Sequence, residues 1–193
     1  MIKFILHGGR SQIDCENNRK FYQEIVNLDK KEINFLIVSF AKPKDQRDFS
    51  EQIEKFIRFN PEKEINFNQA SEGNFEEQIK DSDVIYLRGG DTGSLKKELV
   101  KIADLKKPFD GKTVAGSSAG FIVLSKYYYD QDYDKIMEGL NILPIKAISH
   151  FGLPNQYGQD FEDELKELEE FKKEEDLETI ALKETEFIVK EIL

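Results

Sequence analysis

The sequence predicts an α/β protein with three layers: a mainly parallel central sheet with helices on both faces. Two observations carry this. Through residue 126 the chain alternates apolar runs with amphipathic segments, five β-then-α units in a row, which is the pattern of a parallel sheet built from crossover units. The second run, INFLIVSFA (33–41), is almost continuously apolar, as expected of a strand covered on both faces rather than one.

The elements follow in order. KFILHGG (3–9) is a strand that stops at a double glycine, and 17–28 carries Phe21, Ile25 and Leu28 at helical spacing. After the strand at 33–41, residues 46–59 place Phe49, Ile53, Phe56 and Ile57 at helical intervals. EINFN (64–68) is a weaker strand, followed by a short helix over 75–81. DVIYLRGG (83–90) is the fourth strand, with a helix over 93–105, and TVAGSS (113–118) is the fifth, running straight into a helix over AGFIVLSK (119–126). The repeat then ends. YYY (127–129) is a short strand before an acidic loop, and IKAISHF (145–151) is another strand. Residues 160–173 form an acidic helix with Phe161, Leu165, Leu168 and Phe171 on one face, and TIALKETEFIVKEI (179–192) reads as two strands around Lys183–Glu184. With no internal repeat, low-complexity linker or domain boundary, residues 1–193 are read as one domain.

Composition narrows the function. A chain of 193 residues, 34% charged and 39% hydrophobic, can bury a real core. A formal charge of −10, with lysines scattered among glutamates, excludes a nucleic-acid surface and a polybasic membrane contact. Cys15 is the single cysteine, which excludes an intramolecular disulfide and a cysteine-rich metal site. The opening MIKFILHGGR is too brief for a signal peptide, and no run reaches membrane-spanning length, so a cytoplasmic protein is expected.

In a parallel sheet, sites form at the carboxyl ends of strands. Four such ends carry glycine or reactive side chains: His7-Gly8-Gly9, Arg88-Gly89-Gly90-Asp91, Ser117-Ser118 and Ser149-His150. Residues 116–120, GSSAG, match the G-x-S-x-G nucleophile elbow, in which glycines permit a sharp strand-to-helix turn. Ser118 is the apex, and the N–H of Ala119 is placed to receive a developing oxyanion at the helix N-terminus. The bland alternative is a close-packed turn in which small residues merely fit. In LRGGDTGSL (87–95), Asp91 or Thr92 can cap the next helix, and the N–H of Gly90 can act as a second oxyanion donor; a phosphate cradle is the rival reading, without a full nucleotide-loop motif to support it. His150, following an apolar strand, is the candidate general base for Ser118. His7 lines the pocket or shapes its own turn, and the turn is favoured. The third member of a triad is open among Asp130, Asp132, Asp134 and Glu184. D-x-D-x-D (130–134) lacks the glycine and glutamate of a calcium loop and reads as a solvated turn.

YLRGGDTGSL, VAGSSAGF, GLNILPIKAISHF and, more loosely, LKETEFIV together resemble the dipeptidase E and cyanophycinase family of serine peptidases. The resemblance spans roughly residues 80–190, with residues 1–80 matching in strand–helix order. It implies a flavodoxin-like fold of the class I glutamine amidotransferase type. By position it implies Ser118 as nucleophile, His150 as base, Gly90 and Ala119 as oxyanion donors, and Glu184 as first choice for the carboxylate. An aspartate between serine and histidine is the family's other candidate, corresponding ambiguously to Asp130, Asp132 or Asp134. Arg88 and Asp91 are the expected substrate-binding residues. The family's best-known activity, cleavage of dipeptides with N-terminal aspartate, calls for a cation; no arginine follows Arg88, so Arg88, Arg10 or Lys146 has to serve. The expected protein is thus a serine hydrolase acting on a small peptide, with no metal or organic cofactor, as monomer or homodimer. An α/β-hydrolase-type esterase and a non-catalytic anion-binding protein are the alternatives.

Overall fold

Alternate residues along the apolar strands face opposite ways, and the two faces of the sheet sort them accordingly. Phe4, Leu6, Leu36, Val38, Ile85, Leu87 and Val114 enter one core; Ile5, Phe35, Ile37, Val84, Tyr86 and Ala115, interleaved with them, enter the other. The computed structural model describes residues 1–153 and 161–192. Its main sheet runs β10-β1-β5-β4-β2-β3, formed by β1 (Ile2–His7), β2 (Glu32–Val38), β3 (Glu64–Gln69), β4 (Val84–Leu87), β5 (Thr113–Ser117) and β10 (Phe187–Ile192). All neighbours are parallel except β1 and β10.

Helices α1 (Glu16–Ile25) and α2 (Ser50–Phe59) cover one face through Phe21, Tyr22, Ile25 and Phe56. On the other face lie α3 (Phe75–Lys80), α4 (Thr92–Leu99), α5 (Lys106–Phe109) and α6 (Ala119–Ile122), through Ile79, Leu95, Leu99, Phe109 and Phe121. This is the three-layer α/β arrangement. Each buried Phe or Leu removes enough apolar surface to contribute about 1.5–3 kcal/mol.

The chain beyond residue 126 does not extend that sheet. It builds a second one, in the order β7-β6-β8-β9, from β6 (Tyr127–Asp130), β7 (Lys135–Glu138), β8 (Ile145–Phe151) and β9 (Glu178–Lys183). Tyr128, Ile145, Ala147, Ile180 and Leu182 pack toward the main core, while Tyr127, Tyr129 and Ile148 pack against Leu168 of α7 (Phe161–Glu170). Residue 160, the expected first residue of that helix, lies outside the described residues. The expected acidic loop is in part a hairpin, with β6 and β7 antiparallel. The expected helix over 119–126 stops at Ile122: the carbonyls of Val123, Leu124 and Ser125 that a longer helix would use accept instead from the N–H groups of Leu140, Ile142 and Asn141, and the chain turns into β6. The final hairpin is divided: β9 belongs to the second sheet and β10 to the first, so the turn carrying Glu184 bridges the two. Among the described residues no helix is long and apolar enough to cross a membrane.

Candidate active site

Strand order brings the reactive ends together. β1 and β4 flank β5, with His7 in register with Ser117, and Leu87 with Gly116. At the elbow the chain turns so sharply that a Cβ on Gly116 would fall 2.2 Å from the Gly120 carbonyl, and one on Gly120 would fall 2.0 Å from the carbonyl of Leu87. Only glycine fits at either position. Ser118, between them, takes φ 52° and ψ −116°, a strained conformation of the kind found at functional turns.

His150 reaches this serine from the second sheet. The β8–β9 pairing slips between Ile148 and Phe151, and His150 sits inside that irregularity with φ 55°. A bulge of this sort re-aims a side chain off the sheet surface. Here it brings His150 Nε2 to 2.9 Å from Ser118 Oγ, and Nδ1 to 3.2 Å from Glu184 Oε1. With Nδ1–H donating to the carboxylate, Nε2 carries the lone pair that accepts the serine hydroxyl. Glu184 is held in turn by Arg10, whose Nε lies 2.8 Å from the same oxygen.

Gly89, beyond the end of β4, lies beside the serine, since a Cβ there would fall 3.2 Å from Ser118 Cβ; Gly90 lines the same cavity, and Ala119 follows Ser118 as the first residue of α6. Among the described residues, neither the Gly90 nor the Ala119 N–H donates to a backbone carbonyl. A cavity of about 550 Å³ opens in front of Ser118 and His150, and Arg10, Arg88, Tyr86, Gln52 and Asp132 contribute to its walls. Arg88 is 8% exposed and donates to Ser39 Oγ (3.0 Å), the Arg47 carbonyl (3.2 Å) and Gln52 Oε1 (3.4 Å). Burial lowers its pKa from the ordinary value, and among the described residues no carboxylate forms an ion pair with it.

Other expected residues have different positions. Asp91 does not line the cavity; its Oδ1 accepts the Ser94 N–H at 2.6 Å as the N-cap of α4. Lys146 is 1% exposed, with Nζ donating to the Glu169 carbonyl at 2.8 Å, and is spent on holding α7 to β8. Asp130 is buried, which pushes its pKa up, and accepts the Asp132 N–H at 3.1 Å; Asp134 accepts the Tyr129 hydroxyl at 2.7 Å. The carboxylate on His150 Nδ1 is that of Glu184.

Two residues on the cavity wall escape sequence reasoning. Arg10 suggests itself only as a substrate cation, and its ion pair with Glu184 spans two elements far apart in the chain. Tyr86, on the cavity wall, has a faint signal: it stands two residues before Arg88, and residues i and i+2 of a strand share a face.

Comparison with known proteins bears on the fold and the family. A search of curated proteins found no match. Among solved structures, the chain is similar to a peptidase from an acI-B1 actinobacterium, at 23% identity and TM-score 0.64, covering 98% of this chain and 84% of that one. It is also similar to a protein described as a peptidase E from Listeria monocytogenes EGD-e, at 15% identity and TM-score 0.61, covering 100% of each chain. At these identities the likeness is one of fold. The profile of peptidase family S51 matches residues 4–191. With nearly its whole length matched, the chain belongs to peptidase family S51 and is a serine-type peptidase.

Proposed function

We propose that this peptidase acts as a dipeptidase on small peptides, through an acyl-enzyme on Ser118. The observation that carries the reading is the continuous contact from Ser118 Oγ to His150 Nε2 (2.9 Å) and from His150 Nδ1 to Glu184 Oε1 (3.2 Å). Ser118 Oγ attacks the scissile carbonyl carbon as its proton passes to His150 Nε2. Glu184 keeps the imidazole in the productive tautomer and stabilises the imidazolium. The N–H groups of Gly90 and Ala119 receive the oxyanion of the tetrahedral intermediate, an interaction worth about 3–4 kcal/mol per donor where such donors have been removed. Collapse expels the amine, which takes the proton from His150, and leaves an ester on Ser118. Water, deprotonated by His150, then adds to that ester, and the second tetrahedral species releases the acid and regenerates the serine.

Arg88 supports a narrower substrate class. A guanidinium that is nearly buried, faces the cavity and hydrogen-bonds only neutral acceptors has no carboxylate in direct contact, the charge of Asp48 acting on it from further off. A substrate carboxylate supplies the missing direct partner, held in the bidentate manner arginine favours. The cavity suits a peptide of a few residues, consistent with cleavage of acidic dipeptides.

A fluorophosphonate probe tests the nucleophile. The wild type and Ser117→Ala should label, and Ser118→Ala should not. Labelling that survives in Ser118→Ala sinks the mechanism.

A further inference from the structure

We infer that His7 is a positioning residue for the reaction, its buried imidazole fixing the Gly8-Gly9-Arg10 loop whose backbone aligns the nucleophile, the base and the carboxylate. The inference rests on the reading of Ser118 as nucleophile.

The loop that ends β1 offers three consecutive carbonyls to three parts of the site. The His7 carbonyl accepts the Ser118 N–H at 3.0 Å, that of Gly8 accepts the His150 N–H at 2.9 Å, and that of Gly9 accepts the N–H of Thr185, next to Glu184, at 3.2 Å. The Gly8 N–H returns a bond to the Glu186 carbonyl at 2.9 Å. These bonds tie β5 of the main sheet to β8 and to the β9–β10 turn. Both Ser118 and His150 have positive φ, so their backbones need such outside restraint to stay where the chemistry wants them.

The shape of the loop depends on the His7 side chain. It is fully buried, with its ring 4.2 Å from that of Phe21 between centroids. The Gly9 N–H donates to His7 Nδ1 at 3.1 Å, which requires a lone pair on Nδ1. Asn18 sets the other end. Its Nδ2 donates to the carbonyls of Arg10 (3.0 Å) and Ile13 (2.7 Å), so its Oδ1 must face His7 Nε2, at 2.8 Å, as acceptor. The hydrogen therefore sits on Nε2, and the Ser117 hydroxyl, 3.2 Å from Nδ1, can only donate. Every partner agrees on one neutral tautomer. Burial, with the charge of His150 adding to it, pushes the pKa of His7 down to about 4 against the bond from Asn18. A proton on Nδ1 would face the Gly9 N–H donor to donor and release the loop.

Asparagine places its side-chain oxygen close to where histidine holds Nδ1, whereas glutamine reaches instead to the Nε2 position. His7→Asn should therefore keep the acceptor for Gly9 and retain kcat within about tenfold of wild type. His7→Gln should lose about 10²-fold in kcat with KM little changed, the scale expected for small misplacements of reacting groups. Full activity in His7→Gln, or His7→Asn no better than His7→Gln, overturns the inference. Nitrogen-15 NMR of the wild type provides a readout that needs no turnover and no folded variant. His7 should carry its hydrogen on Nε2 and stay unprotonated from neutral pH to about pH 5. A hydrogen on Nδ1, or titration near the ordinary histidine value, overturns the inference by itself, whereas wild-type protein that never labels at Ser118 overturns the function reading instead.

Discussion

Ser118 and His150 both occupy left-handed backbone conformations, at φ 52° and 55°. Each costs on the order of 1–3 kcal/mol for a residue with a side chain, and neither would persist without surrounding bonds. Gly9 shows how tight that surrounding is. Its φ of 139° is unfavourable for any residue bearing a Cβ, and a Cβ built there would lie 2.1 Å from Cε1 of His150. Gly9→Ala must therefore displace the imidazole or the loop. We expect a fall in kcat of about 10²-fold, as for a 1 Å misplacement of a reacting group, with a lowered melting temperature. Steady-state kinetics checks it, and an alanine variant with wild-type kcat would show that the ring has room to move. The G-x-S-x-G spacing made Ser118 legible in sequence. The contact between Gly9 and His150 was not, because it joins residues that only the folded sheets bring together.

At the scale of elements, hydrophobic periodicity located the strands and helices that lie on the main sheet, since their apolar spacing is what the core demands. It failed where bonds from distant segments override periodicity. AGFIVLSK is apolar enough to continue as a helix, but past Ile122 its carbonyls are taken by N–H groups of the 140–142 segment. The 130–138 stretch reads as polar loop because β7 has two apolar residues, Ile136 and Met137, each half-buried against a different core, between exposed Lys135 and Glu138. Asp91 illustrates a residue whose local role prevailed over its suggestive position. Beside the glycine loop it resembles a substrate contact, yet its carboxylate is engaged by the Ser94 N–H as the cap of α4. Asp91→Ala should destabilise the fold by about 1 kcal/mol, typical of a lost N-cap, and leave KM for a small peptide little changed. Urea unfolding and kinetics on the same preparation measure both. A large rise in KM without loss of stability would return Asp91 to the binding site.

For the molecule as a whole, the β-then-α alternation foretold a mainly parallel sheet but not that the chain would start a second one, because apolar strands covered on both faces look alike whichever sheet they join. Nor could it show the last hairpin dividing between the two, which is what brings Glu184 to His150. The sheets meet at the loop after β1, so the ionisation of His7 reports on that junction. Its ordinary pKa of 6.5 falls to about 4 in the folded protein, chiefly through burial. Between those values the unfolded chain binds a proton that the folded one refuses, so stability rises with pH across that interval. The contribution is fully present above pH 6.5 and is lost as pH falls through about 4. At 1.36 kcal/mol per pKa unit the loss is of order 3 kcal/mol. Carboxylates also titrate there, but they do so equally in a variant without the imidazole. The stability advantage of wild type over His7→Asn, from urea unfolding at a series of pH values, should therefore shrink by about 3 kcal/mol between pH 7 and pH 4. Parallel pH curves for the two proteins would mean that His7 takes up its proton as readily in the fold as in the unfolded chain, and that the loop is held by something other than its neutral ring.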